Sequence, residues 1–131
     1  MLPAILYCKC VVRVRDIMQK HFVGVSKTTT VASAVKLSSS AKVDLMPVLD
    51  GEKLCGVVIS KDLKSHAESG GNVGQVMRNP VFVYAYSDLD SAFKVMIGHG
   101  IVRVPVVADK LTMMCVGILS STDIVKFIKK H

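Results

Sequence analysis

The sequence is short of aromatic residues, acids and long apolar runs. Phe, Trp and Tyr make up 5% of its 131 residues. No platform for stacking unpaired bases is on offer, and the core falls to Val, Ile, Leu, Met and Ala. No apolar run approaches the roughly 20 residues of a membrane-spanning helix. The apolar start, Met1 to Cys8, lacks a basic leader and a small-residue cleavage site, so it is not read as a signal peptide. The four cysteines are Cys8, Cys10, Cys55 and Cys115. Their spacing fits no zinc pattern and no disulfide framework, which suits a reducing, cytoplasmic setting. Cys55 and Cys115 lie in apolar runs and read as small buried hydrophobes. Cys8 and Cys10 form a near-terminal pair with no basic helix end nearby to activate a thiol. The chain shows no glycine-rich phosphate loop and no supported Ser/His/Asp or Cys/His set, which argues against an enzyme. His66 and His99 have no Cys or acidic partner at ligand spacing, which argues against a metal site.

What the chain does have is basic charge. Seventeen Lys and Arg against ten Asp and Glu give a net charge of +7. That excess favours anionic partners. The basic residues are scattered, with only Lys126, Lys129 and Lys130 clustered, so a nucleic-acid footprint is not expected. The length suits one domain, or two very small ones sharing a core. A half of about 60 residues would be marginal alone.

The chain is one unit written twice. Arg15-Asp16-Ile17-Met18 is echoed by Gly74-Gln75-Val76-Met77, with the methionines 59 positions apart. Leu45-Met46-Pro47-Val48-Leu49 is echoed by Arg103-Val104-Pro105-Val106-Val107, with the prolines 58 apart. Gly56 to Leu63 is echoed by Gly117 to Ile124, with a shift of 61. Three blocks in one order at a nearly constant shift mark a tandem repeat. Each copy opens with a short apolar run, Phe22 to Val25 or Val81 to Tyr84. A helix follows. In the second copy its face is Leu89, Ala92, Phe93, Met96 and Ile97, with Ser87 and Asp90 as a capping box and Gly98 and Gly100 at the end. In the first copy Val31, Ala34 and Val35 carry that face. Two strands come next, near 45–49 and 54–59, then near 102–107 and 113–119. Closing helices begin near Lys61 and Thr122. Ser69-Gly70-Gly71-Asn72 reads as a linker. This order predicts an α+β fold, with a three-stranded sheet and helices on one face in each copy. The two sheets are expected to pack on one another.

The block Gly117-Ile118-Leu119-Ser120-Ser121-Thr122-Asp123-Ile124 resembles the signature that closes a CBS (cystathionine β-synthase) domain. Asp16-Ile17-Met18, Val76-Met77, Met46-Pro47-Val48 and Val104-Pro105-Val106 are similar to other motifs of that family. The resemblance spans about residues 14–128. It implies a tandem CBS domain pair, two β-α-β-β-α repeats related by a pseudo-two-fold axis. The first motif with its N-terminal extension would occupy 1–68, the linker 69–72 and the second motif 73–131. The family also implies assembly as a dimer, and adenosyl ligands in the clefts: AMP, ADP, ATP or S-adenosylmethionine. No cofactor is required.

The chemistry of such a site can be argued from the residues. A ribose presents two adjacent hydroxyls, which suit one carboxylate accepting both. Asp123 lies where a strand turns into a helix. Ser120 and Thr122 offer hydroxyls to a phosphate, and the helix N-terminus adds free N–H groups. Ile118, Val102 and Val104 could line a slot for the base. The resemblance implies that this site draws on Met18, His21, Val23, Val43 and Asp44 of the first copy. It also implies a phosphate role for Arg103. The symmetric site would use Asp62 with Met77, Val81 and Val83.

The copies differ at the hydroxyls. Where Asp123 has Ser120 and Thr122, Asp62 has Ile59 and Lys61. One good site at Asp123 is therefore expected. Lys61 could replace a phosphate donor, or the Asp62 site could take a ligand with a different tail. A plainer reading stands beside these. Asp62 and Asp123 each begin a helix, where an acid is favoured by the dipole, and Ser120 and Thr122 could simply cap it. Arg103 could be surface charge, His21 a loop residue, and Met18, Met46, Met77 and Met96 core. Two functions follow. One is a regulatory module sensing adenosyl ligands and acting on a separate enzyme or transporter. The other is a structural dimerisation module with no small ligand.

Overall fold

The computed structural model describes residues 12–130, so Cys8 and Cys10 lie outside the described residues. The elements are α1 (Val14–Ile17), α2 (Val31–Ala41), β1 (Leu45–Asp50), β2 (Lys53–Ile59), α3 (Ser60–Ser65), a 3-10 turn (Val73–Gln75), β3 (Val83–Tyr84), α4 (Leu89–His99), β4 (Arg103–Val107), β5 (Cys115–Ser120) and α5 (Ser121–Lys130). The fold is the expected α+β tandem pair.

The two long helices start on side-chain caps. Thr30 accepts from the Ser33 N–H at 3.1 Å and starts α2. Asp88 accepts from the Ser91 N–H at 2.7 Å and starts α4, one residue later than the Ser87 box predicted. The hydrogen bond from Ser91 holds the Asp88 carboxyl below its ordinary value. Gly98 lies inside α4, and Gly100 alone ends it, in the left-handed conformation.

β1 pairs antiparallel with β2, and β4 with β5. Both ladders shift register at the same repeat position, between Val48 and Leu49 and between Val106 and Val107. Pro47 sits opposite Val57 and Pro105 opposite Ile118. Val57 and Ile118 turn their own backbone groups outward, to Arg78 and Gln19. Neither proline therefore owes its antiparallel neighbour an N–H.

The expected third strand forms in the second copy, where β3 runs parallel to β4. In the first copy it shrinks to one parallel bridge, Val25 to Val48, held by Val25 N–H to Pro47 O at 3.0 Å and Leu49 N–H to Val25 O at 2.7 Å. The first sheet is thus two-stranded, a departure from the three strands expected. Gly24 lies against Pro47 and Leu49 there and offers no side chain to the layer. The last strand also starts late, at Cys115. Met113 takes a left-handed backbone, φ 52°, in a turn that Asp109 closes by accepting from Thr112 at 2.7 Å.

The repeats interlock. Val14, from the start of the first copy, is buried among Val83, Ala92, Met96, Val104 and Leu119 of the second. Val73, from the start of the second, is buried among Val31, Ala34, Met46, Val48 and Leu63 of the first. The hydrogen bonds match. Val14 and Arg15 donate to Ser87 O and Ala85 O at 2.8 and 2.9 Å. Val73 and Gly74 donate to Thr29 O and Lys27 O at 2.8 and 3.0 Å. A third cluster, Leu54, Val107 and Cys115 with Phe22, Leu49 and Phe82, joins the sheets as expected. Leu54 N–H to Met113 O and Cys115 N–H to Glu52 O, each 2.8 Å, stitch the same junction. Burial pushes the Cys115 thiol up to about 11, so it packs as a small inert group.

The interlock needs two glycines. A Cβ on Gly117 would lie 2.7 Å from Met18 Sδ and 2.8 Å from Gln19 O. A Cβ on Gly56 would lie 2.9 Å from Met77 Sδ and 2.8 Å from Arg78 O. The backbone oxygens cannot step aside without breaking the paired bonds to Ile118 and Val57. Gly117→Ala should therefore destabilise the fold by about 1–3 kcal/mol, the usual range for overpacking, as read by urea unfolding. A loss under a few tenths would show that the opening segment is not held tightly.

Candidate functional site

The interlock delivers a side chain from each copy to the helix start of the other. Gln19 and Ile118 exchange backbone bonds of 2.8 and 2.9 Å, which fixes Gln19 beside the β5–α5 turn. Its amide Nε2 then donates to Asp123 Oδ1 at 3.0 Å. The other oxygen, Oδ2, accepts from the Ser120 N–H at 3.0 Å, while the Asp123 N–H donates to Ser120 Oγ at 3.2 Å. Asp123 and Ser120 thus close a reciprocal cap on α5, as the plainer reading expected. The carboxylate is not saturated by this. Its two oxygens offer about four acceptor sites, and two are used.

The symmetric position is built from different chemistry. Arg78 and Val57 exchange backbone bonds of 2.8 and 3.1 Å. Arg78 then donates from Nε to Asp62 Oδ2 at 2.7 Å and from Nη2 to Asp62 Oδ1 at 3.2 Å. This two-pronged ion pair compensates the charge of Asp62. The hydrogen bond from Arg78 holds the Asp62 carboxyl below its ordinary value, against a smaller opposing effect of burial. Asp123 keeps a neutral amide where Asp62 has a guanidinium.

Gln19, whose amide bonds to Asp123, lines a cavity of about 230 Å³ that Asp123, Ser120 and Thr122 themselves do not line. Five residues singled out from sequence line it together: His21, Val23, Val43, Arg103 and Ile118. Gln19 and Lys42, which sequence reasoning did not single out, line it as well. A second cavity of about 160 Å³ shares Arg103 and Leu45 with the first and brings in Asp44 and Val102. The Arg103 Nε lies 3.5 Å from Asp44 Oδ1 without hydrogen-bond geometry, and that nitrogen is buried with no hydrogen-bond partner. A buried donor left unpaired costs about 1–3 kcal/mol, so Arg103 stands ready for an acceptor.

The remaining candidates sit elsewhere. Met18 packs under Gly117 and against the second core, and Met77 under Gly56 and against the first. Val81 and Val83 belong to the second core, and Val104 is fully buried within it. Thr122 and Lys61 are exposed on the first turns of α5 and α3. Among the described residues, no three His, Cys, Asp or Glu gather into a metal-binding group. No helix among them is long and apolar enough to cross a membrane.

The signal for Gln19 and Arg78 was present in the repeat. Each directly follows the repeated methionine, Met18 or Met77, and so occupies the same place in its copy.

A family model for the CBS domain matches residues 14–69 and again 73–130. An uncharacterized protein of Methanocaldococcus jannaschii, MJ0188, is 29% identical over 117 residues, covering 88% of this chain and 43% of the relative. The chain spans less than half the length of the curated relatives it matches. Among solved structures, CBSX2 of Arabidopsis thaliana in complex with AMP superposes with a TM-score of 0.81 at 27% identity, covering 90% of this chain and 96% of that one. The CBS domain pair of protein MJ0100, in complex with 5′-methylthioadenosine and S-adenosyl-L-methionine, superposes with a TM-score of 0.76 at 25% identity, covering 89% and 99%.

The Asp62–Arg78 pair predicts a pH dependence. The folded carboxyl is depressed by Arg78, so the pair's contribution is present above the ordinary carboxylate value of 3.8 and fades as pH falls through the lower folded value. Arg78→Met should remove that contribution. The melting temperature of the variant should fall less than that of the unaltered protein between pH 7 and pH 3. Equal falls would mean that the pair carries no linkage.

Proposed function

Because the chain belongs to the CBS domain family, we propose that it is a regulatory module that binds an adenosyl ligand beside Asp123. One observation carries the reading. His21, Val23, Val43, Arg103 and Ile118, drawn from both copies, line one cavity with Gln19, whose amide bonds to the Asp123 carboxylate, which has acceptor sites to spare. The two free acceptor sites of Asp123 suit the two hydroxyls of a ribose. The Arg103 guanidinium, whose Nε pairs loosely with Asp44 at 3.5 Å and makes no hydrogen bond, suits a phosphate oxygen or a carboxylate. Val23, Val43 and Ile118 provide the apolar walls a base requires. The ligands named for the two solved relatives, AMP in one and 5′-methylthioadenosine with S-adenosylmethionine in the other, share the adenosyl group. Binding across the copies would bias their relative pose, which is how such a module would signal to a separate enzyme or transporter.

One site is proposed rather than two. Asp62 already carries a charged partner in Arg78, and Ile59 stands where Asp123 has Ser120. A ribose at Asp62 would have to displace a guanidinium, not share with an amide.

A second reading rests on exposed apolar residues. Phe93 and Ile97 on α4, and Val125 and Ile128 on α5, are 44%, 63%, 48% and 64% exposed. These are helix faces of one lobe, spaced for contact with another helix. A dimer formed through them is proposed whether or not a ligand binds.

Titration calorimetry with AMP, ATP and S-adenosylmethionine should give saturable heat with at least one of them, near one ligand per chain. Asp123→Asn keeps an acceptor for the α5 cap but removes the charge. It should weaken binding about tenfold or more, since a hydrogen bond to a charged group is worth about 1.5–3 kcal/mol. Silence with all three ligands, in a protein that sediments as a dimer, would leave the dimerisation module as the function.

A further inference from the structure

The two cavities differ in charge, and the difference sits on a backbone conformation that favours another residue. Helices α2 and α4 end in the same motif. Gly100 closes α4 at φ 62°, ψ 35°, and the Ile101 N–H bonds back to Met96 O at 3.0 Å. Lys42 closes α2 at φ 56°, ψ 45°, and the Val43 N–H bonds back to Ser38 O at 3.1 Å. Left-handed backbone is open to glycine and disfavoured for a residue with a Cβ. The first copy nevertheless carries lysine there. It also carries a fastening that the second copy lacks. The buried Ser38 donates its hydroxyl to Val43 O at 2.7 Å, whereas the matching residue in α4 is Met96, which has no donor. Two bonds between Ser38 and Val43 thus fix the turn that presents Lys42. Disfavoured conformations persist where their surroundings over-determine them, and they collect at ligand sites.

Lys42 lines the larger cavity with His21 and Arg103, and no carboxylate lines it among the described residues. The smaller cavity has Gly100 in place of Lys42 and adds Asp44. Arg103 is shared between the two cavities and already faces Asp44 at 3.5 Å. Lys42 makes no ion pair among the described residues, so this exposed lysine leaves an uncompensated positive charge at the edge of the larger cavity. A single phosphate is matched by one guanidinium. A further ammonium, on a separate element, gains by an anion long enough to reach both.

We propose that the larger cavity selects a polyphosphate chain, as in a nucleoside di- or triphosphate, over a monophosphate, and that Lys42 is the residue that selects it. The inference rests on the adenosyl reading for the nucleoside end of the ligand, but the anion subsite stands on Lys42, His21 and Arg103 alone.

The test compares ATP, AMP and inorganic tripolyphosphate by calorimetry on the unaltered protein, Lys42→Gly and Lys42→Arg. Lys42→Gly relieves the backbone and matches Gly100, so its melting temperature should not fall, and unfolding cannot masquerade as lost binding. The unaltered protein should prefer ATP to AMP. Lys42→Gly should lower ATP affinity about tenfold more than AMP affinity, while Lys42→Arg keeps most of the preference. Tripolyphosphate should bind the unaltered protein and lose affinity in Lys42→Gly. An ATP-to-AMP ratio unmoved by Lys42→Gly overturns the proposal. If neither nucleotide binds, the adenine-nucleotide form of the reading fails and tripolyphosphate decides the subsite. Binding that depends on Lys42 sustains it, and absent or Lys42-independent binding overturns it.

Discussion

The structure depends on the exchange of opening segments. Each copy closes the other's core with a valine of its opening segment, Val14 or Val73, and pairs residues further along it with the other's closing strand. Burying a valine side chain is worth about 1.5–3 kcal/mol. The exchange gives each half a contact it cannot make by itself. It also sets the distance between the copies. Gly56 and Gly117 let backbone lie on backbone, and that approach brings Gln19 and Arg78 within hydrogen-bond reach of Asp123 and Asp62. The candidate site is thus a by-product of how the core is closed.

Within this symmetric frame, single residues break the symmetry. Gln19 against Arg78 leaves one carboxylate under a neutral amide and ties the other to a cation. Lys42 against Gly100 charges one cavity rim and leaves the other bare. Ser120 against Ile59 gives one helix start a hydroxyl that accepts from its Asp123 N–H and denies it to the other. None of these changes disturbs the shared backbone. Bonds at Gln19 and Arg78, and turns at Lys42 and Gly100, agree to within a few tenths of an ångström and about ten degrees. The scaffold can therefore diverge in chemistry while keeping its geometry.

Much of the fold was legible because the repeat supplies its own control. The Pro47 and Pro105 blocks and the closing blocks ending in Asp62 and Asp123 located β1, β2, β4, β5 and the helices that follow. What the sequence left unread was decided by partners distant along the chain. Phe22 to Val25 looks as strand-like as Val81 to Tyr84, yet only Val25 pairs, with Gly24 packed flat on Pro47. Asp88 took the cap from Ser87, a choice between adjacent acceptors that local pattern does not resolve. At the site, the apolar and basic wall residues could be named, but Met18 and Met77 went to the cores beneath Gly117 and Gly56. The cap of Asp123 by Ser120 was readable as a short-range motif. Its bond to Gln19, which spans 104 positions, was not.

That span has a consequence for how the chain reaches its native state. The first described helix finds its full set of neighbours only after β5 exists, because Val14 packs against Leu119 and Gln19 pairs with Ile118. Contacts so far apart in sequence must close a long loop before they give anything back, which slows folding and ties the two copies into one cooperative transition. During synthesis, the first copy's opening segment waits for the second copy's closing strand. The first copy's core stays open until Val73 is made, and the second copy's core closes only when its closing strand meets Val14.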